Sequence, residues 1–318
     1  MLLEPQSKVN APVCSVILCT HNPRPSYLDR TLHALKHQTL TSDTWELVVV
    51  DNCSDIPISE QLDGDWHLKA KIVREETLGL TPARLRGIGE ARSDLFVFVD
   101  DDNVLDPDYL QVTLRTAAER PWLGAWSGQC RAGFDEIPPE WTRRYWGNLV
   151  IREFNQDVWS NLPRLPDSMP CGAGLVVRRN VAEHYRKVIT AGQRRLQLDR
   201  TGTSLLSGGD NDLAACACDL GLGVGLISSL RLTHLIPPQR LTPDYLARLA
   251  EGIAYSSVIL DADRGLFVPP RSTIGLVADA LRVLRQRRPH GRILAAAFRG
   301  RNRALRELAR SSQGYTIS

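Results

Sequence analysis

Short β-prone runs alternate with helical stretches through the first half of the chain, and that alternation confines the fold to α/β, with a mainly parallel sheet flanked by helices. Residues 13–20 (VCSVILCT), 46–51 (ELVVVD), 71–74 and 95–99 (LFVFV) read as strands. Helices are expected over 27–38 and 83–91, the second with Pro82 in its first turn. The fourth run is continuously apolar, the pattern of a strand covered on both faces, and Asp100 falls at its carboxyl end. After a helix over 107–119, residues 122–170 lose periodicity and become rich in Trp, Pro and Arg, as long functional loops around a short strand would. Order returns with a strand over 173–178, a helix over 181–190 and another after Gly208-Gly209. A strand over 224–232 is predicted to end just before His234, followed by helices over 242–260, 273–287 and 291–309.

At 318 residues the chain is long enough to bury a substantial core. Its seven cysteines are odd in number, scattered and without a C-x-x-C pair, which argues against a disulfide framework or a zinc knuckle and fits a reducing cytosol. The first residues, with an acidic side chain and a proline, lack the apolar core of a signal peptide, and no apolar run has the length of a membrane span. The net charge of +3 is unevenly spread. Between Arg271 and Arg310 stand eleven arginines against Asp279 and Glu307, so the tail is basic and the body mildly acidic.

In open α/β sheets the ligand lies at the carboxyl ends of the strands, so the residues just after each predicted strand carry the information. Here they are Thr20-His21-Asn22, Asp51-Asn52, Asp100-Asp101-Asp102 and His234. Three successive carboxylates repel one another unless a cation sits among them, and this run closes a buried-type strand, which points to a divalent-metal site. A solvated turn with Asp106 as helix cap is the plain alternative. The run Gly221-Leu222-Gly223-Val224-Gly225 follows a helix and precedes a strand, the reverse of the order that cradles a phosphate, and is set aside.

The chain resembles a family-two glycosyltransferase of the GT-A (Rossmann-like) fold. The resemblance rests on VILCTHN (16–22), VVVDNCS (48–54), LGLTPARLRGI (78–88), FVFVDDDN (96–103), CGAGLVVRR (171–179), GGDNDL (208–213) and His234, in the family's order. It implies that Thr20 and Asn22 lie against base and ribose, that Asp51 accepts a hydrogen bond from uracil, with a strand-end cap as the plain alternative, and that Arg84, or else Arg86, supports the nucleotide pocket, an exposed helix arginine being the alternative there. It implies a D-x-D pair in which Asp102 binds the metal and Asp100 reaches ribose or the metal's water shell, with His234 as a further ligand. The cofactor is then Mn²⁺ or Mg²⁺, and a nitrogen ligand favours manganese. The family's general base is an aspartate in a G-E-D-like motif at a helix start. This sequence carries Gly209 where the glutamate often stands, leaving Asp210 as the base and Asp212 as second choice. The small residues Gly172 and Gly174 would let an acceptor approach the backbone, though a plain tight turn explains them equally well, and Trp141 and Trp146 offer faces on which a sugar or lipid could lie, with a local core as the plain reading of most tryptophans in this stretch.

The reading is a GT-A-like catalytic domain over 10–240 and a helical, arginine-rich C-terminal extension over 241–318. Its expected reaction is inverting transfer from a nucleotide-diphosphate sugar, UDP-linked by preference, to a carbohydrate or lipid-linked hydroxyl, in the synthesis of a cell-surface polysaccharide or glycolipid. The expected location is cytoplasmic, with peripheral contact to the inner membrane face through basic helices in which Leu281, Leu284, Ile293, Leu294, Phe298 and Leu305 alternate with arginines. No nucleic-acid partner is expected. A sugar-phosphate nucleotidyltransferase would want a glycine-rich basic loop after the first strand, where His21-Asn22-Pro23 stands instead, and a silent nucleotide-binding module would not need the full carboxylate set.

Overall fold

The computed structural model describes residues 11–62, 66–270 and 272–313. The first half runs β1 (Ser15–Thr20), α1 (Pro25–Lys36), β2 (Glu46–Asn52), α2 (Ile58–Gln61), β3 (Ala70–Glu75), α3 (Leu80–Glu90) and β4 (Leu95–Asp100). Next come β5 (Asn103–Leu105), α4 (Tyr109–Glu119), β6 (Leu123–Phe134), a 3-10 helix (Glu140–Leu149), β7 (Val158–Ser160) and β8 (Val176–Arg178). After these, α5 (Arg179–Ala191), α6 (Gln193–Leu196) and α7 (Gly209–Asp219) lead into β9 (Gly223–Ile236) and a 3-10 turn (Pro238–Leu241). Helices α8 (Pro243–Asp263), α9 (Thr273–Leu284) and α10 (His290–Gln313) complete the described chain.

All nine strands belong to one sheet, ordered β3-β2-β1-β4-β8-β6-β9-β5, with β7 beside β9. The β3-β2-β1-β4 half is parallel, as the βα alternation predicts, and β8 then pairs antiparallel to both β4 and β6. Successive side chains of a strand face opposite sides, and the core follows that rule. Val16 and Leu18 pack with α1 and α4 residues such as Leu28, Leu35 and Leu110, while Ile17 and Cys19 pack with Ala83, Ile88, Tyr185 and Leu213 from α3, α5 and α7. Both faces of the parallel half are covered, which is why β1 and β4 read as unbroken apolar runs.

Two sequence expectations change. The stretch expected to hold only a short strand contains β6, twelve residues long, paired in parallel with β9. And β9 does not stop before His234: it continues to Ile236, with His234 inside it, opposite Asn103 of β5. A third apolar cluster joins Leu149 and Ile236 to Leu246, Leu249, Ile293 and Ala296, so α8 and α10 pack directly onto the end of the sheet.

Candidate active site

The carboxyl ends of β1 and β4 open into a cavity of about 430 Å³. The sheet register explains what meets there. Directly after β4 the chain turns into β5, whose antiparallel pairing with β9 sets Asn103 opposite His234, and the Leu235 amide donates to the Asp102 carbonyl at 2.8 Å. Asp102 is thereby laid beside His234, with Oδ2 3.4 Å from Nε2. Arg240, on the 3-10 turn after β9, reaches the same point, its Nη1 3.0 Å from Asp102 Oδ2 and 3.0 Å from His234 Nε2. The other ring nitrogen, Nδ1, lies 3.0 Å from the Leu149 carbonyl and donates to it, which fixes the ring with Nε2 facing the site.

The three consecutive carboxyls are electrostatically unlike. Burial raises Asp102, but His234 and Arg240 outweigh it and hold this carboxyl well below the usual carboxylate range. Asp101, which accepts from the Thr20 hydroxyl, is pushed up to about 7, first by burial and then by the Asp102 charge. Asp100 is raised by burial against the pull of Arg84. Two carboxyls driven toward protonation by confinement next to a third that is ionised form a donor set that added positive charge would relax. Asp102 and His234 offer an oxygen and a nitrogen 3.4 Å apart, ligands of the kinds a divalent cation takes, and Arg240 Nη1 stands 3.0 Å from both.

Arg84 projects from α3 into the cavity floor, fully buried, and pairs with Asp199 at 3.0 Å. Asp210, at the start of α7, accepts the Gly172 amide at 2.7 Å through Oδ2 and the Asn211 amide at 2.9 Å through Oδ1. Of the residues singled out in the sequence, Thr20, Arg84, Asp100, Asp102, Gly172, Asp210 and His234 all line this one cavity.

Others are placed elsewhere. Asp212 does not line the cavity: its carboxylate is held by Arg264 at 2.8 Å and lies 3.5 Å from Arg195, so the second candidate base is an ion-pair anchor for the end of α8. Asp51, near the end of β2, is buried, accepting the Ser54 and Ile58 amides at 3.0 and 3.2 Å and Arg74 at 2.7 Å, which makes it a cap rather than a free acceptor for a base. Asn22 clasps Asp55, its amide donating at 3.1 Å and its carbonyl accepting at 2.8 Å, and ties the two strand-end loops together outside the cavity. Gly174 has φ +65°, and a Cβ there would stand 2.2 Å from the Tyr109 hydroxyl, so its smallness admits Tyr109 and not an acceptor. Trp141 packs with Tyr145 and His290 against the C-terminal helices, and Trp146 stacks on Phe134 at 5.0 Å while donating to Thr142. Arg86, the alternative to Arg84, instead pairs with Glu90 along α3.

Three lining residues had no sequence signal beyond being charged: Asp199, Arg200 and Arg240. Arg240 follows Pro237-Pro238 closely after a strand, a position that a search for basic residues at strand ends would have reached.

The profile of the family described as Glycosyl transferase family 2 matches residues 15–186, just over half of the chain. Validoxylamine A glucosyltransferase of Streptomyces hygroscopicus subsp. limoneus is 32% identical over 178 residues, covering 51% of this chain and 37% of that protein. The chain spans about a third of the length of this and another curated relative that it matches. Among solved structures, GalNAc-T7 with UDP, GalNAc and Mn²⁺ superposes with a TM-score of 0.52 at 14% identity, over 81% of this chain and 51% of that one. S. aureus TarS gives 0.50 at 17% identity, over 78% and 40%. At these identities the two structures speak for a shared GT-A fold, and the matched profile does the rest: the chain belongs to glycosyl transferase family 2.

Proposed function

We propose that this chain is a divalent-metal-dependent, inverting glycosyltransferase that moves a sugar from a nucleotide-diphosphate donor, UDP-linked by preference, to a carbohydrate or lipid-linked hydroxyl. The observation that carries the reading is that Asp102, His234, Arg84 and Asp210 border one cavity at the carboxyl ends of the parallel strands. In this reading Thr20 and Asp100 face the nucleoside, and Asp102 and His234 would hold Mn²⁺ or Mg²⁺. When bound, the ion would neutralise charge on the departing diphosphate. Asp210 takes the proton of the acceptor hydroxyl as its oxygen bonds to the anomeric carbon and the bond to the diphosphate breaks. The Gly172 amide fixes the orientation of the Asp210 carboxylate, and Arg84 supplies buried positive charge to the donor side. Of the relatives, GalNAc-T7 carries UDP and Mn²⁺ in its solved structure, which favours that donor nucleotide and that ion here. Thermal-shift titration with nucleotide sugars and manganese tests the reading: a donor-specific shift that vanishes in Asp102→Ala supports it, and no shift with any nucleotide sugar overturns it.

The proposed division of labour is a catalytic unit over 10–240 and a helical extension over 241–318 that meets the membrane surface. Among the described residues no helix is long and apolar enough to cross a membrane. Helix α9 instead turns apolar side chains outward: Ile274, Val277, Leu281 and Leu284 are exposed, while Asp279 is buried between Arg282 and Arg301. Of the apolar residues singled out in the tail sequence, Ile293 and Leu305 are buried in the core, so the surface-seeking stripe lies on α9 and not on α10. Exposed arginines at its end suit anionic headgroups, and a lipid-linked acceptor on the cytoplasmic leaflet accords with that.

A further inference from the structure

The departure of this sequence from the G-E-D pattern has a structural counterpart. Gly209, the first residue of α7, is not among the residues with positive φ, so its backbone does not call for glycine. Its space does. A Cβ on Gly209 would lie 2.3 Å from Asp199 Oδ2 and 2.9 Å from the Thr81 hydroxyl oxygen. The volume that a side chain at 209 would enter is already filled by a carboxylate from another segment of the chain.

That carboxylate is well held. Asp199 accepts from Arg84 Nη1 at 3.0 Å, from the Thr81 hydroxyl at 3.4 Å and from the Arg200 amide at 2.9 Å. Both members of the Arg84–Asp199 pair have side chains no more than 5% exposed. A buried pair is a weak stabiliser after both charges are desolvated, so its presence at the floor of a ligand cavity is better explained by what Arg84 must do there. The guanidinium also stands against Gly172, where an added Cβ would come within 2.7 Å of Nη2, and beside the Asp210 carboxylate. Fixing Arg84 therefore fixes the wall against which the candidate base is set.

We propose that Asp199, a carboxylate delivered from the segment before α7 into the space a side chain at position 209 would need, is the group that positions Arg84 under the donor. The requirement is steric as well as chemical, because the two side chains cannot occupy the same space. It also ties the cleft to the C-terminal helices. Leu198, next to Asp199, is buried with Ile259, Leu260 and Ala304 of α8 and α10, and the Ser207 amide donates to the Ser256 hydroxyl on α8. Asp199 is a positioning residue, and the donor-side part of this role rests on the glycosyltransferase reading above.

The test is a double-substitution cycle on the full chain with Asp199→Ala, Gly209→Glu and both together, read by the thermal midpoint without ligand and by donor KM and kcat. Each single change is expected to lower the midpoint and to raise donor KM by about tenfold, with the double variant recovering to within about threefold of the native KM. Asp199→Asn, which keeps shape and loses charge, is expected to raise donor KM while leaving the midpoint closer to native. A double variant as impaired as the two single changes combined overturns the proposal, as does a Gly209→Glu protein that behaves as native. If the native protein neither binds nor turns over any nucleotide sugar, the reading of its function fails, and recovery or non-recovery of the ligand-free midpoint still decides whether the two carboxylates exchange.

Discussion

Asp210 and Asp212 stand two positions apart at the head of α7, and the cavity separates them completely. Asp210 faces the cleft with the Gly172 amide on its Oδ2, whereas Asp212 turns into the protein to meet Arg264. Asp210→Asn is expected to lower kcat by about 10²–10⁴-fold with little change in donor KM, the mark of a lost general base. Asp212→Asn should instead destabilise the fold by about 1–3 kcal/mol, because the buried Arg264 guanidinium loses a carboxylate and keeps Asp219 as a charged partner, and urea unfolding checks it. The sequence brought both aspartates to the start of one helix but held no means of choosing between them, since the deciding partner, Arg264, lies at the far end of α8. A further test concerns pH. Asp101 keeps its proton up to about 7 in the folded protein, whereas an unperturbed Asp releases it near 3.8. Folding therefore takes up a proton in that window, and metal-free stability falls as pH rises from about 4 to about 7. Asp102, held low, acts in the opposite sense only at more acidic pH. The Asp101→Asn variant should lose part of the decline when denaturation midpoints are compared across that range, the rest belonging to Asp100 and Asp199, which burial also raises.

Strands and helices differ in how openly their sequences announce them. Buried parallel strands such as β1, β2 and β4 are written as unbroken apolar runs, and α3 and α7 follow glycine or proline punctuation, so these elements and the Asp100–Asp102 run at their edge were legible. Strand β6, LGAWSGQCRAGF, was not, because three glycines and an arginine dilute its pattern, and its partner β9 is almost a hundred residues away. That long-range pairing also extended β9 past His234. The small-residue turn before β8 divides for a related reason: Gly172 lines the cavity, whereas Gly174 answers to Tyr109 on α4, a contact no local pattern encodes. Gly174→Ala is expected to cost about 1–3 kcal/mol through overpacking, with strain from the left-handed backbone added, and to leave acceptor KM unchanged once folded protein is compared at equal concentration. A selective rise in acceptor KM without loss of stability would return Gly174 to the binding site.

At the scale of the whole molecule, the acidic body and basic tail seen in composition become a sheet with its cleft and a helical layer packed against it. The outward apolar stripe of α9 gives that layer a surface of its own. Native protein is expected to sediment with vesicles containing phosphatidylglycerol at low salt and much less with neutral vesicles, and Ile274→Glu with Leu284→Glu should abolish the difference without altering the thermal midpoint. Equal recovery in the supernatant with both vesicle types would remove the membrane assignment. The Arg240 side chain has a consequence of another kind. Its guanidinium leans on Asp102 and His234 from a turn only a few residues beyond the histidine, so the protein brings its own tethered counterion to the place where a free one would bind. Under the proposed function a cation would have to displace a rival that never diffuses away, and a diphosphate that drew the arginine toward itself would lift that competition, making nucleotide and ion each other's condition for entry.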